Sequence, residues 1–175
     1  MPLPSTRILT PIPGCEPEIG YALAALQDTR QRTLDTLAAL PQRVLDWPPP
    51  FERNSIGTLL YHIPLIEASY LWEDTLQVAP PPEVETLFPH PVRDGHGLLY
   101  HVEAVTLEDH LKRMAAVRAH LLEAFCALTL EDFHRPRQIE DYTITPHYVL
   151  YHLCQHEAEH RGHIQEIKQS VEMKG

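Results

Sequence analysis

The sequence lacks a cluster of basic residues, a long apolar run and a closely spaced pair of cysteines. Its 14 lysines and arginines stand against 24 aspartates and glutamates, and the formal charge of −10 repels phosphate backbones, which argues against nucleic-acid binding. No segment approaches the roughly 18 apolar residues that span a bilayer, and the N-terminus has no basic stretch followed by an apolar run. We therefore expect a cytoplasmic protein without a nucleic-acid or membrane partner.

The cysteines are also few and badly placed for cross-linking. Cys15, Cys126 and Cys154 are odd in number, widely spaced and without a CxxC partner. This pattern suits a reducing compartment better than a disulfide framework.

Alternating β-branched runs bounded by turns are missing as well, so an α/β fold has no support. The one exception that we expect is a small hairpin near Gln138 to Thr143. The 175 residues, of which 43% are hydrophobic, are enough for one sizeable core. We therefore predict a single all-α domain over residues 1–175, with a helical core over about residues 16–172.

Spacing and helix breakers define the first two helices. The first is predicted from Glu16 to Leu40, because leucine and isoleucine recur there every three or four residues and Pro41 follows. The second is expected to begin at a cap formed by Asn54 or Ser55. Pro64 is expected to bend this helix or loosen one of its turns.

The second half of the chain predicts two more helices. A long proline-rich loop, residues 78–105, separates them from the first pair and is of a length that is usually functional or mobile. The third helix opens at Thr106, with acids in its first turn. After an irregular or short extended passage at residues 133–136, the fourth opens at Thr145 and Pro146 and runs to about Glu172. Together the four helices predict a four-helix bundle.

Twelve histidines are many for this length, and three lie where imidazole is costly to bury. His156 and His160 occupy the middle of the apolar stripe of the fourth helix, one turn apart. His62 follows Leu59 by three residues and precedes Ile66 by four, so it also faces inward. A buried polar ring without a partner costs about 1–3 kcal/mol. A shared ion would satisfy all three rings, and we predict a metal site at His62, His156 and His160.

The sequence does not decide the identity of the ion or whether it has further protein ligands. Three imidazoles suit zinc, nickel, iron or copper, and zinc is the default expectation. His152 and His163 flank the same helix face, and either would serve as a fourth ligand, an outer-shell donor or a rim residue. Three further histidines lie in the proline-rich loop, where exposure is the expected state: His90, His96 and His101.

Residues 156–160 also spell HExxH, the zinc-peptidase signature, in which the glutamate activates water at the metal. The extended form of the motif requires a glycine at position 163 and a histidine at position 166, but the sequence has His163 and Glu166. Only fifteen residues follow His160, so a later helix carrying a glutamate ligand has no room. Glu157 is therefore a candidate catalytic base or, as we favour, an outer-shell acceptor that fixes a histidine ring.

Two stretches of the chain resemble the DinB/YfiT-like superfamily, named for damage-inducible proteins: NSIGTLLYHI at 54–63 and YHLCQHEAEHRGH at 151–163. With the order of elements, the resemblance covers about residues 16–169. It implies a four-helix bundle, frequently dimeric, with His62, His156 and His160 as metal ligands. Many relatives have glutamine where this sequence has His163, so whether His163 is a fourth metal ligand stays open.

Relatives of known activity include transferases and isomerases that depend on mycothiol or bacillithiol. The resemblance therefore implies a metal-dependent enzyme that activates a low-molecular-weight thiol for transfer to a small electrophile. Arg161 is a candidate to pair with a carboxylate of that thiol or substrate; the alternative is a solvated surface arginine. Two alternatives stay open. One is a metal-dependent hydrolase with Glu157 as its base, and the other is a non-catalytic metal-binding stress-response module.

Overall fold

The computed structural model describes residues 8–50 and 54–173, and most of them are helical. Four helices are long, and three short helices, a π-helical segment and a two-stranded hairpin connect them. In chain order the elements are α1 Pro17–Thr36, α2 Gln42–Leu45, α3 Ile56–Ser69, the π-helical segment Tyr70–Leu76, α4 Pro82–Glu85, α5 Leu107–Cys126, α6 Leu130–His134, β1 Arg137–Gln138, β2 Thr143–Ile144 and α7 Pro146–Glu172.

Hydroxyl caps begin three of the four long helices. The side chains of Ser55, Thr106 and Thr145 each accept a hydrogen bond from the backbone amide three residues later. This satisfies amide groups that have no partner within the helix. Pro146 occupies the first turn of α7, where its missing N–H costs nothing. The predicted caps are confirmed, and so is the hairpin, in which Arg137 pairs with Ile144.

Other boundaries differ from the prediction. Helix α1 ends at Thr36 rather than Leu40, and Ala39 has a positive φ of 59° that cannot continue a helix. Helix α3 runs through Pro64 and passes into the π-helical segment at Tyr70. The prediction of an irregular or short extended passage at residues 133–136 is wrong for Phe133 and His134, because α6 extends to His134. The proline-rich loop contains α4 and a single β-bridge between Arg93 and Leu99.

The long helices pack against one another in pairs, chiefly α1 on α7, α3 on α5, α3 on α7 and α1 on α5. Their buried apolar side chains form two clusters. One contains the first part of α1 and α7 and the last part of α3 and α5; the other contains the opposite ends. Helices α1 and α7 therefore run in one direction and α3 and α5 in the other. A layer of buried polar side chains lies between the two clusters.

Two of the cysteines are joined, which corrects the sequence expectation. Cys15 and Cys126 form a disulfide, with Cα atoms 4.4 Å apart, and Cys154 is free. The two residues are 111 positions apart in sequence. Spacing alone could not reveal the pair, because it forms only when the start of α1 packs beside the end of α5.

None of the described helices combines the length and apolar character needed to cross a membrane.

Candidate metal centre

Three imidazoles from two helices converge within the polar layer. His62 of α3 and His156 of α7 bring their Nε2 atoms to 3.1 Å, and the Nε2 atoms of His156 and His160 are also 3.1 Å apart. One ligand nitrogen from each ring lies within 4.8 Å of the other two. The structure therefore brings together the three histidines predicted as ligands, from stretches 94 residues apart in sequence.

The helical framework explains this convergence. Four residues advance an α-helix by about 6 Å and slightly more than one turn, so His156 and His160 project from one face of α7. Helix α3 packs against that face in the opposite direction and supplies His62. The apolar residues on both sides, Leu59 and Ile63 on α3 and Leu153 and Ile164 on α7, are 3% exposed or less and hold the helices at this distance.

Burial keeps the three rings neutral. His62 is 8% exposed, and burial together with His160 and Arg93 lowers its pKa to about 4. Burial lowers the pKa of His156 to about 3, helped by the neighbouring imidazoles, and lowers that of His160 to about 4, helped by His163. Neutral imidazole is the form that binds a metal, so no proton has to be displaced at neutral pH.

The nitrogen spacing fits a small transition-metal ion. Tetrahedral zinc holds imidazole nitrogens at about 2.0–2.1 Å, which places two such nitrogens about 3.3 Å from each other. The observed separations of 3.1 Å are close to that value. Three protein ligands would leave one coordination position open.

In two of the three rings, the nitrogen that points away from the other histidines has no hydrogen-bond partner among the described residues. Nδ1 of His62 and Nδ1 of His160 are buried without a hydrogen-bond partner. Metal-binding histidines usually donate this N–H to a carboxylate, a carbonyl or water. The outer-shell role predicted for Glu157 would have filled this place, but its oxygens accept hydrogen bonds elsewhere.

Both oxygens of Glu157 contact buried arginines. Oε1 accepts from Nε of Arg30 at 2.7 Å, and Oε2 accepts from Nη2 of Arg118 at 3.1 Å. Glu67 completes a closed ring: it accepts from Nη2 of Arg30 at 2.8 Å and from Nε and Nη2 of Arg118 at 2.6 and 2.9 Å. We call these four residues the buried ion quartet. Each of the four long helices contributes one member.

The buried ion quartet is almost free of solvent, with side chains 2–7% exposed. Burial alone would raise the pKa of Glu67, but Arg118 and Arg30 outweigh it and hold the pKa below its usual value. Sequence reasoning missed three of the four members. The sequence pattern that could have identified them is a charged residue on the apolar face of a predicted helix. Arg118, for example, lies four residues after Met114 and three before Leu121.

The other histidines considered in the sequence analysis lie outside the triad. The ring centroid of His152 is 5.9 Å from that of His156, and His163 is 5.7 Å from His160; neither belongs to the three-residue group. His96 and His101 are exposed as expected, whereas His90 is half-buried and stacks on Tyr100 at 4.2 Å.

Arg161 is half-buried, and its Nη1 donates to the backbone carbonyl of Thr29 at 3.3 Å. This contact joins α7 to α1, immediately beyond His160.

Comparison with known families agrees with the geometry. The family model of the DinB superfamily matches residues 25–164, a range that includes His62, His156 and His160. The chain belongs to the DinB superfamily. No curated protein matches it. The DinB match covers α3 and the part of α7 that carries His156 and His160, so the two stretches that first suggested the resemblance both lie inside it.

Proposed function

We propose that this DinB-superfamily protein is a metal-dependent enzyme that activates a low-molecular-weight thiol for transfer to a small electrophile. The observation that carries the proposal is the convergence of three neutral imidazole nitrogens, with His156 at 3.1 Å from each of the other two and all three within 4.8 Å of one another. His62, His156 and His160 would hold one divalent transition metal, with zinc as the default and nickel, iron or copper as alternatives. Such an ion, when bound, lowers the pKa of a thiol at its open position.

The chain's own residues supply the rest of the site. The two apolar clusters on either side of the polar layer limit the contact of the ligand rings with water: His62 is buried, and His156 and His160 are half-buried. Arg161 is proposed to pair with a carboxylate of the thiol or substrate, since its guanidinium lies one residue beyond a ligand and is only partly buried. The proposal also includes a four-helix-bundle architecture, a homodimer and a cytoplasmic location.

Hydrolysis with Glu157 as base has less support. A general base needs an oxygen within hydrogen-bond reach of the proton that it removes. Both oxygens of Glu157 accept hydrogen bonds from Arg30 or Arg118, and releasing one would leave a buried guanidinium with Glu67 as its remaining carboxylate partner. The alternative of a non-catalytic metal module differs from our proposal only in lacking turnover.

Metal analysis of the purified protein tests the first half of the proposal. We expect about one transition-metal ion per chain in the wild type, because three converging ligands form one site. His160→Ala should lower metal occupancy and affinity strongly. His163→Ala is the matched control, since it makes the same change three residues further along α7. Equal metal loss in both variants would indicate a four-histidine site that includes His163. Full retention of metal in His160→Ala would refute the proposed site altogether.

Thermal unfolding with added thiols tests the second half. A ligand that binds only the folded protein raises stability by about 2.7 kcal/mol at one hundred times its dissociation constant. We expect mycothiol, bacillithiol or another small thiol to raise the melting temperature of the metal-loaded protein. Cysteine compared with serine isolates the sulfur atom. No shift with any thiol would refute thiol activation and leave the metal site standing.

A further inference from the structure

A cavity lies where the start of the π-helical segment, the hairpin and the first turns of α7 meet, about two helical turns from the triad. It has a volume of about 560 Å³, and three tyrosine rings form much of its wall. Tyr70 begins the π-helical segment, Tyr142 lies in the hairpin turn, and Tyr148 lies in the first turns of α7. We call this cavity the tyrosine pocket. Ligand-binding clefts have volumes of about 300–1,000 Å³, so a small organic molecule fits it.

His152 connects the tyrosine pocket to the triad. Its ring is stacked on Tyr148 at a centroid distance of 6.2 Å, lies 4.8 Å from the ring of Tyr70, and lies 5.9 Å from the ring of His156. Tyr148, His152 and His156 follow one another at four-residue spacing on α7. Each step advances about 6 Å along the helix, so Tyr148 in the pocket wall lies about 12 Å along α7 from His156. A molecule of ordinary metabolite size spans this distance.

The pocket is built by a feature that departs from regular helix geometry. The π-helical segment places Tyr70 in the wall and buries Asp74 behind the hairpin. Both carboxylate oxygens of Asp74 accept from the hydroxyl of Tyr142, at 3.0 and 2.9 Å. Burial and this carboxylate raise the pKa of Tyr142 to about 12, so the phenol stays protonated and keeps its ring in place. Single π-helical turns are frequent at functional sites.

The wall chemistry defines the ligand class. The residues that line the pocket carry no formal charge, and Pro136 and Ile144 add apolar surface. An ion would lose hydration there without a charged partner. The rings of Tyr142 and Tyr148 remain 45% and 50% exposed, which leaves faces available for stacking. Tyr70 and Tyr148 add two more phenol groups to the lining, and their hydroxyls can pair with a polar substituent.

We propose that the tyrosine pocket binds an uncharged aromatic group of the substrate whose reacting end lies at the metal. This inference rests on the proposed function, because it assigns the pocket to a substrate of the same site. The pocket would set specificity through stacking and through the hydroxyls of Tyr70 and Tyr148.

Binding of 2-naphthol, followed by its fluorescence, tests the proposal on the full-length, metal-loaded protein. We expect saturable binding that Tyr148→Ala and Tyr142→Ala each weaken about three- to tenfold, the range that corresponds to loss of one aromatic pair. Tyr21→Ala is the matched control, because Tyr21 is 51% exposed on α1 and is not part of the pocket. Tyr21→Ala should leave binding unchanged. Thermal unfolding of each variant checks that the fold is retained.

Several outcomes would overturn the proposal. They are the absence of saturable binding, equal weakening by Tyr21→Ala, and tighter binding of protonated benzylamine than of benzyl alcohol, which would show that the pocket prefers a cation. Metal content separates this proposal from the proposed function. Tyr148→Ala should keep the metal of the wild type; a wild type without metal that still binds 2-naphthol at the tyrosines would refute the metal proposal and support the pocket.

Discussion

Replacing Glu157 with glutamine tests whether this residue is structural or catalytic. The change is almost isosteric, but it removes one of the two negative charges in the buried ion quartet. Arg30 and Arg118 then share Glu67 alone, and a net positive charge stays in a layer whose side chains are 2–7% exposed. The amide group of glutamine also turns a donor toward one guanidinium, which itself can only donate.

The expected loss of stability follows from these contacts. Removing one partner of a buried ion pair typically costs about 3–5 kcal/mol, because the remaining charge is left without compensation. Glu157 contacts two guanidiniums, at 2.7 and 3.1 Å, so we place Glu157→Gln in that range. Since a domain of this kind is stable by about 5–15 kcal/mol in total, the variant should unfold at a much lower urea concentration.

Urea unfolding of the metal-free protein measures this loss without a contribution from metal binding. Glu159→Gln is the matched control: the same change on the same helix, at an exposed residue two positions away. It should change stability by no more than about 0.5 kcal/mol. A loss below about 1 kcal/mol for Glu157→Gln would refute the structural argument. Wild-type stability combined with lost turnover would instead support Glu157 as a catalytic base.

Two further predictions follow from single residues. Burial, with a smaller effect of Arg113, lowers the pKa of His110 to about 4, so between about pH 6.5 and 4 the unfolded chain binds a proton that the folded chain excludes. As the pH drops through this range, the free energy of unfolding of the wild type should therefore fall by up to about 3 kcal/mol more than that of His110→Leu. Urea unfolding of both proteins at several pH values measures this difference, and the same pH dependence in both would contradict the prediction. Alkylation of denatured, unreduced protein should label Cys154 alone, and mass spectrometry that finds three labelled thiols would exclude the disulfide.

Local patterns in the sequence were sufficient for the existence of the four long helices and for the choice of the three triad histidines, although not for every helix boundary. Caps at Ser55, Thr106 and Thr145 depend on a hydroxyl and an amide three residues away, so they are visible in sequence. The inward direction of His156 and His160 depends only on helical periodicity.

The features that sequence reasoning missed depend on partners far along the chain. Arg30 meets Glu157 across 127 residues, and nothing near either one identifies the other. The disulfide closes over 111 residues. The π-helical segment continues directly from α3, and the YLWEDTL sequence of residues 70–76 carries no π-specific signal that we can identify.

The HExxH pattern has a different physical basis here from the one it has in peptidases. Consecutive residues on α7 project about 100° apart, so His156 and Glu157 face different neighbours. His156 faces α3 and its histidine, whereas Glu157 faces the arginines of α1 and α5. The rotation of α7 that pairs Glu157 with two guanidiniums is the same rotation that directs His156 and His160 toward His62. The histidine triad and the buried ion quartet therefore constrain one helix setting, and the contacts of Glu157 place it in the quartet.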